Sequence, residues 1–310
     1  MPMKLTILGS SSALPTSERF PSAHVLNVHE RLFLIDCGEG TQMQLRKYRI
    51  RFSKINHIFI SHLHGDHIFG LYGLLSTFNL MGRKNPVHLY APQNYQGILL
   101  SHLNDFDISP GFEIDFVPLS GKEPLKILDD KYVTVTSFPL KHRVPAFGFL
   151  FREKPHDRNI IKEAIEKYNI PIIKIPAIKK GEDFVMNDGT VIPNDTITIK
   201  PPEPLSYAYC SDTSYFERLS SFVKNVNLLY HEATFEADLK DLAESVGHST
   251  THDAARIASE AGVGTLIIGH FSARYKKTGN LVEEARTIFP ETYPAREGDT
   301  IEVGKPFRPS

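Results

Sequence analysis

The segment "HLHGDH" places His62, His64, Asp66 and His67 within six consecutive positions. Clustered imidazole and carboxylate without thiolate is a donor set that suits zinc, with manganese or iron as further fits. His62 and His64 alternate along an extended backbone, so both rings point to one side. Asp66 and His67 follow in a turn that Gly65 lets fold back, where they face a second position. The arrangement suits two metals, one pair of ligands for each. Such a site needs more donors, and titratable residues at other strand ends supply them: His142 in "PLKHRVP", Asp212 in "YAYCSDTS" and His270 in "LIIGHFSARY". Taken singly, each is a polar residue closing a strand, and Asp212 would serve equally as a helix N-cap. Beside the cluster, that blander reading loses its force.

The flanking pattern says what must hold these residues. "HIFISH" is an apolar strand that runs into the cluster, and Leu71, Leu74, Leu75 and Phe78 beyond it fall at helical spacing. The cluster therefore sits on a strand-to-helix loop, a common place for functional groups. "KLTILGS" and "RLFLID" are strands that end in the glycine turns "GSSS" and "CGEGT". Gly9 to Ser12 is a weak candidate for a phosphate contact, and Asp36 reads as a loop-shaping residue near the site. "TQMQLRKY" is a helix with Thr41 as its expected N-cap. "PVHLYAP", "YVTVTSFPL", "LSYAYCSD", "NLLYHEAT" and "TLIIGH" are further strands, and "HDAARIASEAG" is a helix ended by Gly262. Strands alternate with helices, but several follow one another in the first half. The expected fold is α/β, built as a sandwich of mixed sheets.

Composition sets outer bounds. The 310 residues are 41% hydrophobic and 23% charged, with a formal net charge of −1. No overall basic excess marks a nucleic-acid binder, although a local patch suffices for that. Cys37 and Cys210 make neither a disulfide framework nor a thiolate metal site, and a reducing cytoplasm is the expected compartment. No apolar run approaches the roughly 20 residues of a membrane span. Residues 151–204 differ from the rest: they are rich in Pro, Lys and Glu and hold nine basic and nine acidic residues. They read as a short helix, an irregular Pro-interrupted stretch and a hairpin turn in "MNDGTV". Because they separate two core strands, they are expected to form a protruding insertion.

"HLHGDHIFGLYGLL" is similar to the HxHxDH signature of the metallo-β-lactamase superfamily. With "DCGEGTQ" (Asp36 to Gln42) upstream and "PLKH", "CSDT", "HEATF" (His231 to Phe235), "GHSTTHDAA" and "GHFSARY" downstream in order, nearly the whole chain resembles the short form of the ribonuclease Z family. The resemblance implies a single αββα domain over 1–310 with two zinc ions per subunit. His62, His64 and His142 would hold one ion, Asp66, His67 and His270 the other, and Asp212 would bridge them. The implied activity is endoribonucleolytic removal of 3′ trailers from precursor tRNA, leaving a 3′-hydroxyl on the tRNA and a 5′-phosphate on the trailer. Asp66 would orient or deprotonate the attacking water, and His248 would protonate the leaving oxygen or bind phosphate. Glu232 would orient His248, although a polar strand end is nearly as good a reading of it. Ser249 and Thr250 would contact the phosphate, cap the following helix, or both. Residues 151–204 would be the family's flexible tRNA-gripping arm, with Lys174, Lys179 and Lys180 as phosphate contacts. The arm's expected Gly-Pro pair is missing here, replaced by "IIKIP". Short forms of the family pair as homodimers in which one subunit's arm holds the tRNA that the other cuts. The alternative is a dinuclear zinc phosphodiesterase, or another metallo-hydrolase, with a non-tRNA substrate.

Overall fold

In the computed structural model, which describes residues 3–307, the apolar runs pair into two seven-stranded mixed sheets. The first runs Thr300–Glu302, Lys4–Gly9, Ala23–Val28, Arg31–Ile35, Ile55–Phe59, Val87–Pro92, Ile114–Leu119. The second runs Thr292–Pro294, Thr265–Gly269, Leu228–Glu232, Ser206–Cys210, Ala146–Glu153, Val133–Leu140, Leu125–Asp129. Each sheet contains a block of four parallel strands. In the first, the block begins at Arg31–Ile35; in the second, it begins at Ser206–Cys210. Parallel strands carry all their C-terminal ends to one edge, and open α/β sheets bind ligands there.

The inner faces of the sheets meet in an aromatic core that includes Phe33, Phe59, Phe149, Phe151, Tyr207, Tyr209 and Tyr230. Phe59 meets Phe149 edge-on, with ring centroids 5.3 Å apart, a geometry the ring quadrupoles favour. Helices cover both outer faces. Gly70–Leu80 buries Leu71, Leu74, Leu75 and Phe78, the residues its spacing predicts. Thr251–Ala261 buries Ala254, Ala255, Ile257 and Ala258 and ends at Gly262, which takes the left-handed conformation (φ 63°). The layers are helix, sheet, sheet, helix. One cap differs from expectation: Gly40 (φ 80°), not Thr41, caps Thr41–Lys47. Thr41 Oγ1 instead donates back to the Gly38 carbonyl at 2.6 Å.

Residues 153–204 form a second compact unit. It holds the helices Lys162–Lys167, Ile175–Lys179 and Asn194–Ile197 and the hairpin Phe184–Val185 with Val191–Ile192. Its own core is Ala164, Ile170, Ile178, Phe184, Ile192 and Ile197. The Pro-interrupted stretch, expected to be irregular, is helical from Ile172 to Lys179. Pro176 lies in the first turn of Ile175–Lys179, where a missing N–H costs nothing. Among the described residues, no helix is long and apolar enough to cross a membrane.

Candidate metal centre

Every predicted donor lies just beyond a strand end at the shared edge. His62 and His64 follow Ile55–Phe59, and Asp66 and His67 lie in the short helix Gly65–Ile68. His142 follows Val133–Leu140, Asp212 follows Ser206–Cys210, and His270 follows Thr265–Gly269. The cluster loop is clamped by its neighbour: the Cys37 N–H donates to the His67 carbonyl at 2.8 Å. A Cβ on Gly38 would come 2.4 Å from the Asp66 carbonyl oxygen, so only glycine allows this approach. Asp36 (φ 55°) and His270 (φ 59°) both take the left-handed conformation, a strain of the kind that accumulates at functional sites.

The seven side chains form two groups that share Asp212. In the first, His64 Nδ1 lies 3.0 Å from His62 Nε2 and 3.2 Å from His142 Nε2. Asp212 Oδ2 faces this group, 3.5 Å from His62 Nε2 and 3.9 Å from His142 Nε2. In the second, His67 Nε2 and His270 Nε2 are 3.3 Å apart and lie 3.4 and 3.3 Å from Asp66 Oδ2. Asp212 Oδ1 faces them at 3.3 and 3.2 Å. One carboxylate thus gives an oxygen to each group.

Neutral rings cannot close all of these contacts as hydrogen bonds. His67 Nδ1 donates to Asp36 Oδ2 at 2.8 Å, His142 Nδ1 to the Gly247 carbonyl at 2.7 Å, and His270 Nδ1 to Thr234 Oγ1 at 2.9 Å. As a neutral imidazole, each ring spends its one proton outward and turns a lone pair inward, toward carboxylate oxygens and other lone pairs. Asp212 Oδ1 is buried and has no hydrogen-bond partner. Buried acceptors that face one another are costly unless a cation sits between them. The electrostatics demand the same: burial resists charge on His67, but Asp212, Asp66 and Asp36 push its pKa well above the ordinary value. At His64 burial wins, helped by His62 and His142, and lowers the pKa to about 4, leaving a neutral ring fit to ligate. The donor set therefore fits a divalent metal.

Around this centre lies a frame of orienting groups. Glu232, fully buried, accepts His248 Nδ1–H at 2.8 Å and the Thr234 hydroxyl at 2.7 Å. Through Thr234 it also steadies His270. Burial disfavours charge on His248, but Glu232 outweighs it and raises the pKa to about 9. The Ser249 hydroxyl donates to the Thr213 carbonyl at 2.6 Å, and Thr250 forms a capping box with Asp253. Both hydroxyls are spent inside the protein, where they fix the start of the helix beside His248. In the loop after Lys4–Gly9, the Ala13 N–H donates to Asp66 Oδ2 at 2.8 Å. Lys174, Lys179 and Lys180 belong to the second unit, and Lys174 and Lys180 are exposed.

Sequence reasoning undervalued Asp36. It is completely buried and bonds directly to His67, which goes beyond shaping a loop. Thr234, Ser61 and Tyr209 were not singled out at all. The available signal was a carboxylate ending a strand adjacent to the one that delivers the histidines.

Comparison with known proteins agrees with this architecture. A family profile described as Anti-Pycsar protein Apyc1 matches residues 3–105. The chain is 46% identical over 300 residues to the Ribonuclease Z of Bacteroides thetaiotaomicron, covering 97% of this chain and 95% of that one. The Ribonuclease Z of Porphyromonas gingivalis is 42% identical, covering 96% and 98%. The crystal structure of the short form of human tRNase Z superposes with a TM-score of 0.71 at 26% identity, covering 97% and 99%. The metallo-β-lactamase fold protein YhfI from Bacillus subtilis, at 21% identity and a TM-score of 0.69, shares the fold over 97% of this chain and 99% of that one. Identity of this degree along nearly the whole length places the chain in the ribonuclease Z family, on a metallo-β-lactamase fold.

Proposed function

We propose that the chain is a zinc-dependent endoribonuclease that removes 3′ trailers from precursor tRNA, leaving a 3′-hydroxyl on the tRNA and a 5′-phosphate on the trailer. The observation that carries this reading is the division of Asp212 between two groups of donors, in a chain related to ribonuclease Z from end to end. His62, His64 and His142 would hold one zinc ion, Asp66, His67 and His270 a second, with Asp212 bridging. Bound there, the ions supply Lewis-acid neutralisation of the phosphoryl oxygens and lower the pKa of an attacking water.

The protein's own groups do the rest. Asp66, steadied by the Ala13 N–H, orients the water and accepts its proton as the new O–P bond forms. The P–O3′ bond breaks in line, and His248 gives its proton to the departing 3′-oxygen. Glu232 holds His248 Nδ1, which leaves Nε2 as the nitrogen for that transfer. Residues 153–204 serve as the tRNA-binding arm, with Lys174, Lys179 and Lys180 on backbone phosphates. The protein works in the cytoplasm as a homodimer, one subunit's arm presenting tRNA to the other's metal centre.

The test is cleavage of an end-labelled precursor tRNA by zinc-loaded protein, beside a small chromogenic phosphodiester. A single cut next to the discriminator base is expected. Turnover of the small ester alone would leave a dinuclear phosphodiesterase with another substrate.

A further inference from the structure

Two of the ligating histidines trace back to one buried carboxylate. Asp36 is fully buried, and its Oδ1 accepts the Ser61 N–H at 2.7 Å. Its Oδ2 accepts His67 Nδ1–H at 2.8 Å, the Ser61 hydroxyl at 2.9 Å and the Tyr209 hydroxyl at 2.7 Å. Every partner is a donor, so Asp36 acts as an ionised, acceptor-only group.

Ser61 has one hydroxyl proton, and the charged acceptor takes it, because charge-assisted hydrogen bonds are the stronger ones. Ser61 Oγ is then an acceptor towards His62 Nδ1, at 3.0 Å. His62 Nδ1 therefore carries the proton, and His62 Nε2 is left for metal. Directly, Asp36 sets the tautomer of His67; through Ser61, it sets that of His62. These rings belong to different donor groups, whereas His142 and His270 are anchored separately by Gly247 and Thr234.

We propose that Asp36, with Ser61 and Tyr209, is a single positioning unit that couples the two metal positions from behind, as Asp212 couples them from the front. Tyr209 makes the unit rigid. It is 1% exposed, stacks on Tyr230 with ring centroids 5.0 Å apart, and is met edge-on by His24 at 5.1 Å. The proposal rests on the two-metal reading given above.

The test is titration of metal-free protein with Co²⁺, followed by its d–d absorption bands and by chelator competition. ¹⁵N-histidine NMR of the same samples assigns each binding step to its ring. Asp36→Asn is expected to weaken both steps, each by about 10- to 100-fold, the range for losing an outer-shell partner. Ser61→Ala should weaken only the step assigned to His62, and should add nothing to that step in the Asp36→Asn background. Weakening of one step alone by Asp36→Asn, or full additivity with Ser61→Ala, overturns the shared anchor. Should Asp36→Asn not fold, Tyr209→Phe removes one donor without adding a polar group. It is expected to shift the Nδ1–H resonances of both His62 and His67, and movement of neither refutes the unit. Wild-type protein that binds fewer than two Co²⁺ per chain would instead sink the two-metal reading.

Discussion

Excising the arm separates the two parts of the proposed function. Arg152 and Ser206 are directly opposed across an antiparallel pair, so their Cα atoms are about 5 Å apart. Residues 153–204 can then be replaced by Asn-Gly, leaving Leu205 as the third residue of a short hairpin loop. The excised segment has a hydrophobic core of its own. Metal content and turnover of a small phosphodiester should therefore stay within about threefold of wild type, since nothing that positions the centre is removed. Precursor tRNA should behave differently. Each lysine–phosphate contact contributes about 1 kcal/mol near 0.15 M salt through counterion release. Loss of Lys174, Lys179 and Lys180 then costs about 3 kcal/mol, on the order of 100-fold in kcat/KM. The slope of log(kcat/KM) against log[salt] should flatten by about 2 to 3. The assay is steady-state kinetics on both substrates across a salt series, with a thermal melt of each protein. Equal loss on both substrates, at an unchanged melting temperature, would show that the segment belongs to the catalytic core and refute the reasoning.

Asp212→Asn keeps the side chain's shape but removes the charge shared by both donor groups. Bound metal, measured by elemental analysis, should fall, and both substrates should lose at least about 100-fold in turnover; a fully loaded, active variant would contradict the bridging role. His248→Ala should lower kcat by about 100- to 10,000-fold while bound metal stays at the wild-type level, and metal loss in step with activity would make His248 a structural residue. A further prediction concerns acid stability. Burial first, and then His88 and Arg31, lower the His57 pKa from 6.5 to about 4. The unfolded chain therefore binds the proton more readily, and stability is lost as pH falls from about 6.5 towards 4. The loss is up to about 3 kcal/mol. His57→Phe should flatten urea-melt stability over that window; an unchanged pH dependence would acquit His57.

The chain order by itself determined the class of site. HxHxDH is contiguous, its imidazoles and carboxylate suit hard or borderline cations, and the flanking 2- and 3.6-residue periodicities locate it on a strand-to-helix loop. The sandwich of mixed sheets was legible for the same reason, since strand and helix periods are local properties. That His142, Asp212 and His270 end other strands was visible too, but not that the strand order of the second sheet would bring those ends together. What only the tertiary structure decided is which ring proton points where. Asp36, Ser61 and Tyr209 are separated along the chain and individually unremarkable, and they act through hydrogen bonds of 2.7–2.9 Å. The helical turns around Pro176 were missed because a proline in a first turn looks, in sequence, like one that breaks a helix. Periodicity survives in a one-dimensional string because it depends on neighbours. Tautomer, burial and the sharing of one carboxylate between two donor groups depend on distances set only when the two sheets pack.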